Sequence, residues 1–366
     1  MIRKAGLVAL VIFSSLVLLS PGPVLAESGP TVLDNSVEQK FPDQFIFKLT
    51  ARSDVDIKEI RLHYTVEQDS FADVTSEVYL EFTPALTQQV SWAWDMRKGG
   101  GLPSGAMIDY WWTVTDAQGR EVATTPLSIS FGDERYAWQN LTDGEVTLFW
   151  YEGKESFAGE IIAEGRQALE RLAEDTGARL KKPVKIYIYG SARDLQGAMI
   201  FPQEWVGGAT YTRNSVIIIG ISPANLSWGK RAVAHELTHL VVHQVTFNPY
   251  STLPTWLDEG LAMYGEGPLE TSFINYLRQA INENKLISVR SLSSPFSALA
   301  DESYLSYAQS YSLVEFLVQN YGQSKMLGLL ETFREGNGYD DALNKVYGFN
   351  MDGLDDRWRK YVTEKY

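Results

Sequence analysis

Two histidines four positions apart, in the run His235-Glu236-Leu237-Thr238-His239, limit the folds open to this chain more than any other part of its sequence. Residues four apart share one face of an α-helix, so both imidazoles can reach one metal ion at about 2.0–2.1 Å. Glu236 then points to the side, where it is poorly placed as a ligand but well placed to take a proton from a water at the metal. The spacing therefore predicts a metal-binding helix that can activate water.

A third protein ligand must come from another segment. Pro254 suits the first turn of a second helix, and Glu259, twenty positions after His239, falls about one turn later. A pair of helices would bring the Glu259 carboxylate over the two imidazoles.

Chance could also produce this spacing, but the composition argues against it. The chain has four histidines, and three of them, His235, His239 and His243, fall in this segment, among residues apolar enough for burial. Unpaired polar groups are costly in such surroundings. His243 is an alternative ligand, yet eight residues separate it from His235 by about 12 Å along the helix axis. We therefore interpret His243 as a residue that supports the metal ligands through a hydrogen bond, or that caps the helix, and not as a ligand.

The motif resembles the gluzincin metallopeptidases, the group that includes thermolysin and the zinc aminopeptidases, when it is read together with Trp256-Leu257-Asp258-Glu259-Gly260-Leu261-Ala262. The most similar members are the exported bacterial peptidase MA-like proteins. The likeness is strong over about residues 205–265 and weaker up to the C-terminus. It implies one Zn²⁺ ion and assigns a role to four residues: the ligands are His235, His239 and Glu259, and the general base is Glu236.

The segment Tyr307 to Val314 resembles the part of zinc aminopeptidases that carries a tyrosine for the oxyanion, at the start of a helix after the glutamate ligand. The resemblance implies that Tyr307 is catalytic and hydrogen-bonds the tetrahedral intermediate, where a preorganised donor has most effect. Tyr311 and Tyr264 are alternatives for this role. A core or surface role for Tyr307 is another.

A hairpin is predicted just before the zinc helix. Val206 to Tyr211 and Ser215 to Ile219 indicate two strands joined by the turn Thr212-Arg213-Asn214. In gluzincins an edge strand at this place pairs with the substrate backbone. The resemblance therefore implies a substrate-binding role for Gly208, Ala209 and Thr210. The alternative is an ordinary hairpin with a glycine bulge.

Two features depart from the family pattern. Thermolysin-like enzymes have an acidic residue one helical turn after the glutamate ligand, and here that position is Met263. Because such a residue fixes the orientation of a zinc-binding imidazole, another group must replace it, and Asp258 is the nearest candidate. The Gly-x-Met-Glu-Asn stretch that holds the free amine of aminopeptidase substrates is not found, which leaves the specificity open.

The first 26 residues have the three parts of a secretory signal, with basic Arg3 and Lys4, an apolar run and a small-residue cleavage site at Ala26. We expect an extracytoplasmic protein, secreted after cleavage or held at the cell envelope if the signal stays as an anchor.

The chain contains no cysteine, so disulfides and a lipoprotein anchor are excluded. Its net charge of −14 becomes −16 once Arg3 and Lys4 are removed. Such acidity disfavours nucleic acid and anionic membranes as partners.

Alternating apolar and polar residues from about Gln44 to Phe131 predict a β-sandwich. The expected strands are Phe45 to Leu49, Ile60 to Val66, Val78 to Phe82, Val90 to Trp94 and Ile108 to Thr115. The alternation of Tyr110 and Trp112 resembles an immunoglobulin-like or fibronectin-like strand pair. Trp92, Trp94 and Trp112 are interpreted as core residues, although exposed aromatics here would suit a glycan or a partner.

The spacing of apolar residues changes after a linker predicted near Gly132 to Thr142. The pattern then indicates a strand, an amphipathic helix and a second strand before the zinc helices, and only helices after them. These elements are Val146 to Tyr151, Phe157 to Leu172, Pro183 to Tyr189, Tyr311 to Tyr321, Ser324 to Arg334 and Leu354 to Val362.

The predicted fold class is α+β with two domains. After the signal peptide (1–26), residues 27–132 form an immunoglobulin-like or fibronectin-like β-sandwich. Residues 143–366 form a gluzincin-type, thermolysin-like catalytic domain. Its first part, 143–265, holds a small mixed sheet and the zinc helices, and 266–366 form a helical lobe.

The expected function is zinc-dependent hydrolysis of peptide bonds in a peptide or protein substrate. A catalytically silent exported binding or scaffold protein that retains the zinc site is the main alternative. A structural zinc site is a weaker alternative, because such sites usually have four protein ligands. A carbohydrate-directed function would rest on the sandwich domain alone.

Overall fold

The structure is a computed structural model that describes residues 29–202, 207–297 and 299–366. The predicted signal (1–26) lies outside the described residues, as does Val206 at the start of the predicted hairpin. Over the described ranges, no helix is both long enough and apolar enough to cross a membrane.

The first part of the chain forms one antiparallel sheet of seven strands. Its strands are β1 (Thr31–Lys40), β2 (Gln44–Val66), β3 (Ser76–Tyr79), β4 (Ala85–Asp95), β5 (Ala106–Asp116), β6 (Glu121–Ala123) and β7 (Leu127–Phe131). The first half of β2 pairs with β1 and β4, and its second half pairs with β3 and β5. Alternate residues of β2 are buried from Phe45 to Ala51, which is the period expected of a half-buried strand.

The long strand β2 corrects the prediction of two separate strands at Phe45 to Leu49 and Ile60 to Val66. Its register shifts between Arg52 and Ile57 in the pairing with β4. A bulge of this kind bends a strand without ending it, so β2 continues from one half of the sheet into the other. Aromatic rings of the two halves meet in the core, with the centroids of Phe47 and Tyr110 5.0 Å apart. The immunoglobulin-like or fibronectin-like topology stays a prediction.

Of the three tryptophans interpreted as core residues, Trp112 is fully buried, whereas Trp92 and Trp94 are half-buried against the same core. The core interpretation therefore holds in full for Trp112 only.

A second sheet of five strands is mixed, as predicted, with the order β11-β12-β10-β9-β8. Its strands are β8 (Gln139–Asp143), β9 (Val146–Trp150), β10 (Val184–Tyr189), β11 (Gly208–Tyr211) and β12 (Val216–Gly220). The central strands β9, β10 and β12 are parallel, and both edge strands are antiparallel to their neighbours. Strands β10 and β12 bury side chains on both faces, which explains their nearly continuous apolar sequences.

Strand β8 lies in the segment predicted to be a linker, Gly132 to Thr142. Its sequence, Gln139 to Asp143, is polar and mostly exposed because β8 is an edge strand, so it carries no apolar signal. The domain boundaries themselves stay predictions.

The helices are α1 (Glu155–Thr176), α2 (Ala192–Gln196), α3 (Leu226–Thr246), α4 (Thr255–Gly265), α5 (Thr271–Asn282), α6 (Ala300–Tyr321), α7 (Gln323–Arg334), α8 (Tyr339–Tyr347) and α9 (Met351–Lys365). Helices α1 and α3 cover one face of the second sheet through Ile161, Val233 and Leu237. The later helices share a larger core around Leu261, Leu317 and other buried residues. The sequence did not predict α5 or α8, and α6 begins eleven residues before its predicted start at Tyr311.

The two sheets are joined by buried polar contacts. The Tyr189 hydroxyl lies 2.7 Å from Ser104 Oγ and donates to Asp133 Oδ2 at 3.1 Å. At Gly105, with φ of +79°, a Cβ atom would lie 2.2 Å from the Tyr187 hydroxyl oxygen. Only glycine allows the chain to pass this close.

Candidate metal centre

The site is built where α3 crosses α4. Pro254 occupies the N-cap of α4, so the chain turns just before it and runs back along the helix that carries the histidines. A Cβ atom on Gly265 would lie 2.0 Å from Thr238 Oγ1 on α3. The two helices can therefore approach closely only because residue 265 has no side chain.

Three ligand atoms converge between these helices. His235 Nε2 and His239 Nε2 are 3.2 Å apart, and Glu259 Oε2 lies 3.5 Å from each of them. A tetrahedral ion with bonds of about 2.0–2.1 Å requires ligand atoms about 3.3–3.4 Å apart. The spacing therefore fits zinc.

The Glu259 carboxylate gives a second indication of a cation. Its Oε2 atom is buried and has no hydrogen-bond partner among the described residues. A buried carboxylate oxygen without a partner is costly, and a metal ion at the convergence point would remove that cost. The residues present thus fit the metal that the motif predicts.

Each imidazole is held through its other nitrogen by a carboxylate. His239 Nδ1 lies 3.0 Å from Asp258 Oδ1, and His235 Nδ1 lies 2.8 Å from Glu266 Oε1. Glu266 in turn accepts a hydrogen bond of 2.7 Å from Arg231. This pattern directs both Nε2 atoms to the metal position and fixes the tautomers.

His243 contacts the site through Asp258. Its Nε2 lies 3.0 Å from Asp258 Oδ2, so one carboxylate bridges two histidines on successive turns of α3. Burial alone would raise the pKa of Asp258, but the charges and hydrogen bonds of His239 and His243 hold it well below its usual range. Asp258 is therefore a carboxylate at every working pH.

The same charges act on the three candidate ligands. Burial alone would raise the pKa of Glu259, yet its contacts with His235 and His239 lower it to about 2. Burial alone would lower the pKa of His235, but Glu259 and Glu266 raise it to about 9. The cluster of carboxylates therefore favours positive charge at this point, whether protons or a metal ion that displaces them.

Glu236 lies beside the edge strand. Thr210 Oγ1 donates a hydrogen bond of 2.5 Å to Glu236 Oε2. Strand β11 pairs with β12 on one side, and in the described part of the chain no strand pairs with its other side. The predicted substrate-binding residues Gly208, Ala209 and Thr210 are thus on a free edge next to the predicted general base.

The three candidate tyrosines differ in their surroundings. Burial, and to a smaller extent the carboxylates of Glu259, Glu236 and Glu266, together raise the pKa of Tyr307 to about 12. The charged neighbours of Tyr311 and Tyr264 are instead Glu315 and Asp175. Of the three tyrosines, Tyr307 is therefore the one whose pKa responds to the carboxylates of the site. It lies within α6 and not at the start of a helix.

The sequence interpretation missed Glu266. It follows Glu259 by seven positions, or about two helical turns, so it lies on the same side as Glu259, at the C-cap of α4. The spacing of seven positions from Glu259 is the feature of the sequence that could have identified Glu266. Met263, one turn after Glu259, is buried, and Asp258 and Glu266 take the place of the acid that thermolysin-like enzymes have there.

A groove of about 670 Å³ opens beside the site. It is lined along the first half of α3 by Trp228, Arg231, His235 and Glu236, and across from them by Glu266 and Glu270. The groove reaches His235 and Glu236 from the surface.

Comparisons with known proteins identify the family of this chain. The model of the peptidase MA superfamily matches residues 164–364. Aminopeptidase A of Legionella pneumophila, solved with aspartic acid, is 10% identical, and the match covers 90% of this chain and 50% of that one, with a TM-score of 0.39. Catalytically inactive OgpA of Akkermansia muciniphila, solved with an O-glycopeptide substrate, is 15% identical over 29% of this chain and 30% of that one, with a TM-score of 0.22. The match thus spans half or less of each of these solved chains. No curated protein matches the sequence.

Proposed function

This chain belongs to the peptidase MA superfamily, and from that premise we propose that it is a zinc metallopeptidase of the gluzincin type that hydrolyses peptide bonds in peptides or proteins. Peptide hydrolysis is the activity that the family suggests, and its members are typically metal-dependent. The observation that carries the proposal is that His235 Nε2, His239 Nε2 and a buried Glu259 oxygen without a hydrogen bond among the described residues meet at tetrahedral spacing.

The proposed ligands of the ion are His235 Nε2, His239 Nε2 and Glu259. A zinc ion bound there would lower the pKa of water to about 7 and polarise a substrate carbonyl. Asp258 and Glu266 keep the two imidazoles in the tautomer that presents Nε2 to the metal position.

Glu236 is the proposed general base. Its carboxylate takes the proton of the attacking water and then delivers it to the departing amine, so the peptide bond is broken with no net change in the enzyme. The Thr210 hydroxyl, which donates to Glu236 Oε2, keeps the carboxylate in place for both transfers. Such proton transfers contribute about 10²- to 10⁴-fold to the rate.

Tyr307 and β11 complete the proposed machinery. The Tyr307 hydroxyl donates a hydrogen bond to the oxyanion, and because burial and nearby carboxylates keep its pKa high, it stays protonated. The free edge of β11, at Gly208, Ala209 and Thr210, pairs with the substrate backbone by strand addition. Main-chain pairing of this kind binds peptides with little regard to their side chains.

The proposal extends to the parts of the chain that precede the catalytic region. Residues 1–26 direct export and are cleaved after Ala26, and residues 27–132 form an immunoglobulin-like or fibronectin-like sandwich. Export is supported by the basic start, apolar run and small-residue site of the sequence.

The substitution Glu236→Gln tests the assignment. It should leave bound zinc unchanged and reduce hydrolysis of a mixed peptide library by at least about 10²-fold, because the amide cannot accept the proton. Full activity in this variant would refute the role of Glu236. Bound zinc without turnover in the wild-type protein would favour the alternative, an exported binding or scaffold protein.

A further inference from the structure

The space between β11 and α3, called the cleft below, has two unlike ends. Gly207, which directly precedes β11, lies near Trp228 of α3, and Thr210 within β11 contacts Glu236. Among the described residues, the Trp228 end opens into the groove of about 670 Å³. The opposite end, beyond Tyr211, is covered by a segment of the N-terminal sheet.

That segment is the connection between β2 and β3, residues 67–75, called the 67–75 loop below. Asp69 exchanges two hydrogen bonds with Arg213: its N–H donates to Arg213 O at 2.6 Å, and Arg213 Nε donates to Asp69 O at 2.9 Å. Asn214 Nδ2 donates to Glu67 O at 3.1 Å, and Lys182 forms an ion pair with the Asp69 carboxylate. The loop is therefore fastened to the turn that directly follows β11.

An aromatic contact fastens the loop to α3 as well. The ring of Phe71 stacks on Phe247, at the C-cap of α3, with centroids 4.3 Å apart and planes inclined by 12°. Phe71 is nevertheless 56% exposed. An exposed ring held by one stacking contact is suited to bordering a binding cleft and not to filling a core.

Between the loop and α3 a small cavity of about 140 Å³ remains, lined by Asp69, Arg213, His243 and Phe247 among others. This volume is about a fifth of that of the groove at the Trp228 end. The loop therefore narrows the space between β11 and α3 at this end.

The length of the closed side follows from strand geometry. Strand β11 ends at Tyr211, and Thr212–Asn214 form a short 3-10 turn, so Arg213 lies at most about 10 Å beyond Thr210 at 3.3 Å per residue. A substrate strand laid along β11 therefore has room for at most about three residues between Glu236 and the loop. An antiparallel substrate, the commoner and slightly more stable pairing, would point its amino terminus at the closed end.

We propose that the 67–75 loop sets the specificity of the peptidase by closing one end of its cleft, so that it removes fragments of at most about three residues from the amino terminus of peptides. This inference rests on the proposed function. It assigns the N-terminal sheet a part in substrate selection, through a wall that the catalytic region does not itself contain.

The test uses the full chain and a nested set of peptides that share one cleavable core. One series is extended by one to eight residues on the amino side, and the other by the same lengths on the carboxyl side, with products identified by mass spectrometry. The wild type should cleave each peptide within about three residues of its amino terminus and tolerate every carboxyl extension.

The variant Phe71→Ala/Arg213→Ala removes the stacking contact and the hydrogen bond from Arg213 Nε to Asp69 O, and should loosen the loop, which keeps its contacts with Asn214 and Lys182. Its kcat/KM for fragments of four or more residues should rise at least tenfold, with unchanged zinc content. Val74→Ala, in the same loop but 64% exposed, is the matched control and should behave as the wild type. If the double variant does not fold, the role of the loop is tested by the limit on amino-side fragment length in the wild type and by its change in the single variant Phe71→Ala.

The outcomes separate the two proposals. Chelator-sensitive cleavage with no limit on amino-side length, or with a limit on the carboxyl side, would overturn the role of the loop and leave the peptidase assignment standing. No hydrolysis of any peptide by the zinc-loaded wild type would refute the proposed function, and the inference with it.

Discussion

Asp258 Oδ1 lies 3.0 Å from His239 Nδ1, and Asp258 is the residue directly before Glu259. Two successive carboxylates of α4 thus approach the same imidazole from different sides. One orients the ring through Nδ1, and the other meets Nε2 at the metal position. Because both belong to one helical turn, any shift of α4 relative to α3 would disturb ligand and orienting group together.

Asp258→Asn tests the orienting contact. The amide keeps the shape but not the charge, so the imidazole of His239 is less basic and less firmly held. We expect zinc affinity to fall by about 10- to 100-fold, measured by competition with a chelator. An affinity equal to that of the wild type would contradict the assignment.

Glu266→Gln tests the corresponding contact of His235. The same loss of about 10- to 100-fold in zinc affinity is expected. Glu270→Gln is the matched control, because Glu270 also pairs with Arg231, at 2.8 Å, but has no hydrogen bond to an imidazole among the described contacts. Equal effects of the two substitutions would mean that Glu266 acts through Arg231 and not through His235.

The sequence predicted the part of the site that depends on local spacing. His235 and His239 follow from the helical period, and Glu259 follows from Pro254 and one further helix. Glu266 was missed because the family pattern directed attention to the position of Met263. In its place, the structure has Glu266, about one turn further on, at the C-cap of α4.

The parts that sequence could not predict depend on contacts between distant segments. The 67–75 loop meets Arg213, 144 positions away from Asp69, and no periodicity signals such a contact. Strand β8 was missed because an exposed edge strand has little apolar character. The unbroken course of β2 was missed because the bulge between Arg52 and Ile57 resembles a turn in the sequence.

Tyr307→Phe removes the hydroxyl proposed to stabilise the oxyanion. We expect kcat to fall by about 10²- to 10³-fold, with little change in KM or in bound zinc, since the hydroxyl acts only as charge develops. Steady-state kinetics on a single peptide measure this. Tyr311→Phe is the control, and a larger loss of kcat in the control than in Tyr307→Phe would move the role to Tyr311.

Asp340 provides a prediction about stability and pH. A backbone hydrogen bond from Met351, at 2.9 Å, lowers the pKa of Asp340, burial opposes this, and Arg290 lowers it further. A carboxylate whose pKa is lower in the folded state stabilises above its unfolded value of about 3.9, and this contribution is lost as the pH falls through the folded pKa.

Asp340→Asn should therefore lower the urea midpoint at pH 7, and the difference from the wild type should shrink as the pH falls below about 4. Asp341→Asn, one position away, is the control, since no hydrogen bond to its carboxylate occurs in the described part of the chain. A pH-independent difference for Asp340→Asn would show that the aspartate acts by shape alone.

The most direct measurement is anomalous diffraction at the zinc edge from crystals of the full chain grown with Zn²⁺. We expect one peak at about 2.0–2.2 Å from His235 Nε2, His239 Nε2 and a carboxylate oxygen of Glu259. A strong peak elsewhere, or crystals in which Glu259 turns away from both imidazoles while zinc is abundant, would contradict the proposal that this chain is a zinc peptidase.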